Sequence, residues 1–98
     1  MRFSVQFSEA ASRHLRGLTA RQRALVLDEV QRLLTTQPAL QTRNRKPLRP
    51  NPVSPRELRV QRIRIYYDVQ EEGAVVTVEA IGIKVRDVVL IEGKEVQL

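Results

Sequence analysis

The stretch Glu57-Leu58-Arg59-Val60-Gln61-Arg62-Ile63-Arg64-Ile65-Tyr66-Tyr67-Asp68-Val69 alternates apolar and polar side chains twice over. Leu58 and Val60 fall on one face of a first short strand, with Glu57, Arg59 and Gln61 on the other. In a second strand Ile63, Ile65, Tyr67 and Val69 share one face, and Arg64, Tyr66 and Asp68 share the opposite one. A period of two marks a sheet with one face on a core and the other in water. The wet face carries arginines. Guanidinium groups held on a rigid sheet suit an anionic partner, phosphate first.

Toward the C-terminus, Glu71-Glu72-Gly73 reads as the turn of a hairpin. Residues 74–83 are rich in Val and Ile and read as a central strand that Gly82 breaks. Val88 to Ile91 adds an edge strand, and Glu92-Gly93-Lys94 a last turn. Toward the N-terminus, residues 37–55 are rich in proline and carry Arg43, Arg45, Lys46 and Arg49, which predicts an extended basic connector.

Before the connector the period changes. Residues 2–7 alternate as a strand. Ser8 is a good N-cap for a first helix, with Glu9 in the turn where the helix dipole favours an anion. Ala11, Leu15 and Leu18 make one apolar stripe, and Gly17 is a plausible stop. Thr19-Ala20-Arg21-Gln22 fits a capping box opening a second helix, whose apolar positions are Val26, Leu27, Val30, Leu33 and Leu34. Pro38 closes it, and Asp28 and Arg32 fit an i,i+4 pair on its solvent side. His14 is read as a surface residue of the first helix, on the layer away from the arginines. Strands joined by short turns pair antiparallel. The expected class is therefore α+β: an N-terminal strand and helical hairpin packed on one face of a mainly antiparallel sheet of about four strands.

The 98 residues make one domain, 1–98, with room for a single modest core. A hydrophobic share of 42% beside 29% charged residues excludes a disordered chain. No apolar run approaches the roughly 18 residues that span a bilayer, and no signal-peptide core opens the chain, so a cytoplasmic protein without membrane contact is expected. There is no cysteine, and the one histidine makes neither a metal cage nor a catalytic dyad, so no metal and no cofactor are expected. No Gly-rich phosphate loop or H-E-x-x-H motif occurs. The net charge of +6 favours polyanions, or an acidic protein partner.

The chain resembles the RelE/ParE toxins of bacterial and archaeal toxin–antitoxin modules over nearly its full length. The resemblance is carried by Phe3–Phe7, the paired helices with Leu15, Leu18 and Leu33-Leu34, the break at Pro38 and the basic stretch to Leu48. Glu57-Leu58-Arg59-Val60, Ile63-Arg64-Ile65-Tyr66-Tyr67 and Ile81-Gly82-Ile83-Lys84-Val85-Arg86 then follow in family order. For the RelE branch the resemblance implies a toxin that cuts messenger RNA on the ribosome. The ribose 2′-hydroxyl attacks its own 3′-phosphate, without metal or cofactor, while basic residues stabilise the developing charge. For the ParE branch it implies inhibition of DNA gyrase.

Position by position, Arg59, Arg64 and Arg86 match basic residues of the RelE branch and are cast as phosphate binders. Glu57 falls where some members carry a lysine, and Leu90 where a C-terminal tyrosine stands; these two departures favour the alternative, a non-enzymatic ParE-like toxin or a RelE-like protein whose nuclease activity has decayed. By alternation Tyr66 shares a face with Arg64. Its phenol would serve as acid or base if nearby arginines lowered its pKa from about 10. Arg43, Arg45, Lys46, Arg49, Arg62 and Lys84 are the expected RNA contacts. The resemblance also implies a cognate antitoxin, an acidic segment that folds as it binds.

Overall fold

The computed structural model describes residues 2–98. In chain order the elements are β1 (Ser4–Phe7), α1 (Glu9–Arg16), α2 (Ala20–Leu33), β2 (Arg45–Pro47), β3 (Arg56–Val60), β4 (Ile63–Gln70), β5 (Val75–Val85), β6 (Val88–Ile91) and β7 (Lys94–Val96). Two helices pack on a mainly antiparallel sheet, the class expected. The sheet has seven strands rather than about four, in the order β2-β3-β4-β5-β6-β7, with β1 beside β5.

The helix ends follow side-chain chemistry. The Ser8 hydroxyl accepts the Ala11 N–H at 3.0 Å and donates to the Glu79 carbonyl at 3.0 Å, so the cap of α1 is also a tie to the sheet. At the start of α2, Thr19 Oγ1 accepts the Gln22 N–H while Gln22 Oε1 accepts the Thr19 N–H, a complete capping box. Arg32 pairs with Glu29, not with Asp28, at 2.7 Å. Leu27 is exposed rather than part of the packed stripe.

β5 organises the sheet. Its first half pairs with β1 in parallel, Ser4 with Val75 through Phe7 with Val78. The last residues of β5 pair antiparallel with β6, from Ile83–Leu90 to Val85–Val88. Its other edge takes β4 along its whole length, with a bulge at Glu79. Gly82 does not break this strand but lies inside it. A Cβ there would come within 2.7 Å of Val89 Cγ1 and 3.0 Å of Ile91 Cγ1. Glycine thus lets the β6 side chains lean across β5.

Leu58, Val60, Ile63, Ile65, Tyr67, Val76, Val78 and Ile81 meet Ala11, Val26, Val30 and Leu34 in the core between the layers. Tyr67 is core as expected, and its hydroxyl donates to the Pro38 carbonyl at 3.1 Å.

The basic connector is not simply extended. Its residues 45–47 form β2 on the edge of β3, Arg45 opposite Leu58. At the other end of the sheet, the Leu98 carbonyl beyond β7 accepts the Arg49 guanidinium beyond β2, at 3.0 and 3.3 Å. The two ends of the sheet therefore approach each other, and the twist accumulated over its strands curls the sheet on itself.

Candidate nucleic-acid interface

Glu57, Arg59, Arg64 and Tyr66 share the face of the sheet turned from the helices, because register places Glu57 opposite Tyr66 and Arg59 opposite Arg64. The expectation of a wet face is corrected by the curl of the sheet. Tyr66 is 0% exposed, Glu57 4% and Arg64 8%.

At one end of this face two short turns meet. Gln61-Arg62 joins β3 to β4, and Arg86-Asp87 joins β5 to β6. The Arg62 carbonyl accepts the Lys84 N–H at 2.7 Å and locks the first turn against β5. Arg62, Arg64, Lys84 and Arg86 line a shallow depression of about 330 Å³, with no carboxylate in its walls. Among the described residues none of these four side chains is in an ion pair. Arg64 donates through Nη1 to the carbonyls of Gln61 and Ile63 at 2.7 and 3.1 Å, which fixes its guanidinium. Burial lowers its pKa from the ordinary value, with Glu57 opposing and Arg59 reinforcing that shift. Arg86 has φ +58°, in the left-handed region that costs a non-glycine residue strain. Four clustered cations, none of them ion-paired, form a cradle for an anion that offers several oxygens.

Arg59 stands beside this cradle and not in its lining. Its Nε donates to Glu57 Oε1 at 3.0 Å. Tyr66 is not poised for proton transfer. Its hydroxyl is buried without a hydrogen-bond partner. Burial, then the charge of Glu57 and the nearness of its carboxylate to the phenol, push its pKa up, against the smaller opposing effects of Arg64 and Arg59. The expected lowering by arginines is reversed because the curled sheet keeps water from the phenol.

No protein-family model and no curated protein matches the chain. Among solved structures it is similar to the RelBE2 toxin–antitoxin complex from Mycobacterium tuberculosis, at 25% sequence identity and a TM-score of 0.75. The match covers 86% of this chain and 93% of that one. The chain is RelE-like.

In this RelE-like chain, Leu90 pairs with Ile83 and points to the helical layer, where it lines a cavity with Leu18, Ile81 and Ile83. It therefore faces away from Arg64. The expected RNA contacts divide. Arg43, Lys46, Arg49 and Arg62 are exposed and Lys84 is half-buried. Arg45 is buried, and its Nη1 donates to the carbonyls of Leu33 and Gln37 at 3.0 and 2.9 Å. It caps the C-terminal end of α2 and is not available to RNA, which corrects its assignment. Arg49 is engaged with Leu98 as described.

His14 is also corrected, from surface to buried. Its Nδ1 accepts the Ile81 N–H at 3.2 Å, so Nε2 carries the proton and donates to Glu92 Oε1 at 3.0 Å. Arg13 adds a two-point contact to Glu92, at 3.0 and 3.1 Å. The signal was in the helix period. His14 lies three residues after Ala11 and four before Leu18, on the stripe itself. Among the described residues no group of three acidic or histidine side chains comes together to hold a metal, and no helix is long and apolar enough to cross a membrane.

Proposed function

We propose that this RelE-like chain is the toxin of a toxin–antitoxin module and acts as a ribosome-dependent endoribonuclease on messenger RNA. The observation that carries the reading is the depression lined by Arg62, Arg64, Lys84 and Arg86, cationic on every side and without a counter-ion. The scissile phosphate sits there. The 2′-hydroxyl of the preceding ribose attacks phosphorus, the P–O5′ bond breaks, and a 2′,3′-cyclic phosphate is left on one fragment. The negative charge gathered on the phosphoryl oxygens is largest at the transition state. Fixed guanidinium groups meeting it there lower the barrier more than they stabilise bound RNA. The chain supplies charge and position, while water carries the protons that Tyr66 cannot reach. Arg43 and Lys46, both exposed, extend the basic surface for ribosomal or messenger RNA.

Primer extension on cellular messenger RNA after induction tests this. Codon-linked cuts that vanish in Arg64→Ala are expected. Growth arrest with intact messenger RNA would overturn the nuclease reading.

A second reading is favoured by one observation: the Tyr66 hydroxyl is sealed and its pKa raised, so the phenol cannot serve as the acid or base beside the cations. On that reading the cradle binds without cutting, and the target is DNA gyrase or RNA held intact. Inhibition of supercoiling by purified protein at low stoichiometry would select gyrase.

The antitoxin belongs to both readings. A net charge of +6 and a cationic hollow suit an acidic segment that orders on contact. Co-purification of the product of the adjacent reading frame is the expected result.

A further inference from the structure

Arg59 faces Arg64 directly across β3 and β4, yet of Arg59, Arg64 and Arg86 it alone is bound to a carboxylate. That carboxylate, on Glu57, is buried to 4% exposure, while the Arg59 side chain is 40% exposed. A buried carboxylate requires a donor, and two residues along a strand is the spacing that lets Arg59 supply it. Opposite Glu57 in register stands Tyr66, whose buried hydroxyl has no partner. Its raised pKa keeps that hydroxyl protonated, hence a donor, at any ordinary pH.

These residues form an exchange with two settings. In one, as in the structure, Glu57 holds Arg59, and the Tyr66 hydroxyl lies beside Glu57 without completing a hydrogen bond to it. In the other, Arg59 turns to an anion in the cradle and Tyr66 donates to Glu57 in its place. We propose that Glu57 is a built-in competitor of the phosphate, restraining Arg59 until an anion draws it away, with Tyr66 as the donor that relieves Glu57. This rests on the reading of the depression as a phosphate site and adds what sets its affinity.

The test is titration of the full chain with inorganic phosphate at constant ionic strength, followed through the arginine Nε–H signals by NMR. In the wild-type chain, phosphate shifts the signals of Arg64 and Arg86, and that of Arg59 moves with them as its bond to Glu57 is lost. Glu57→Gln removes the competing charge and tightens phosphate roughly five- to tenfold, the scale of one partly screened charge at this range. Tyr66→Phe removes the relieving donor and weakens phosphate about two- to fivefold, the scale of one hydrogen bond. In the double variant the Tyr66→Phe effect disappears, because a neutral amide no longer needs the phenol. Tyr66→Phe loses only an unpartnered oxygen, so it carries the test even where Glu57→Gln unfolds, which melting curves reveal. Unchanged affinity in both variants while Arg64 and Arg86 still respond would overturn the exchange and leave the cradle standing. No response of Arg64 or Arg86 in any chain would remove the cradle, and the exchange with it.

Discussion

His14 on α1 accepts the backbone N–H of Ile81 on β5 through Nδ1 at 3.2 Å, a hydrogen bond that spans the two layers of the molecule. Replacing His14 by Ala leaves that buried N–H unpaired and opens a void beside it. A loss of about 1–3 kcal/mol in unfolding free energy is expected, read from urea denaturation. The arginine cradle lies on the other face of the sheet, so phosphate binding by the folded variant is expected to remain.

Glu92 gives the acid limb of stability. The two-point contact from Arg13, helped by His14 and opposed by desolvation, holds its carboxyl down from the ordinary 4.5 to about 2. A carboxyl whose pKa is depressed on folding stabilises the fold above its unfolded pKa and loses that effect as pH falls toward the folded value. Stability should therefore decline between about pH 4.5 and 2 through this group. Glu92→Gln should flatten that part of a plot of melting temperature against pH, leaving the remaining slope to other carboxylates.

Arg86 separates stability from binding. Its φ of +58° is costly for an arginine and natural for glycine. Arg86→Gly should leave stability unchanged or raise it by up to about 1 kcal/mol, because relief of strain competes with the added freedom of the unfolded chain. The same variant should bind RNA more weakly, with the slope of log affinity against log salt reduced by about one phosphate contact. A variant that binds as well as the parent would remove Arg86 from the interface.

Arg45 and Lys46 are neighbours with opposite expected phenotypes. Arg45→Met strips the carbonyls of Leu33 and Gln37 of their donor and should cost about 1–3 kcal/mol of stability. Lys46→Ala should leave stability within about 0.5 kcal/mol and lower the salt dependence of RNA binding. Parallel melting and filter-binding measurements distinguish them.

The fold was legible where local chemistry decides it. Ser8 and Thr19 announce their helices because their hydroxyls cap the first turn, and 57–69 announces paired strands because its alternation has no other period. β2 was hidden because three residues ending in Pro47 carry no alternation, and their pairing is a property of β3. The candidate site was legible only in part. Register brings Arg59 opposite Arg64 as alternation implies, and Arg64 and Arg86 do line one hollow. The sealing of Tyr66 follows from the curl of the sheet, and the inward turn of Arg45 from its pairing opposite the core residue Leu58, neither of which a single segment encodes; the bond of Arg59 to Glu57 needs only the spacing of two along β3 and the burial of the carboxylate.

The parallel pairing of β1 with β5 joins Gln6 to Thr77, 71 positions apart. On a translating ribosome the first strand waits without its neighbour until most of the chain has emerged, and a contact so distant in sequence forms slowly. For a protein whose proposed target is the translation machinery itself, this makes the finished fold a late, post-synthetic event. A nascent chain halted before residue 75 lacks the strand that would tie its beginning to its arginine-bearing end.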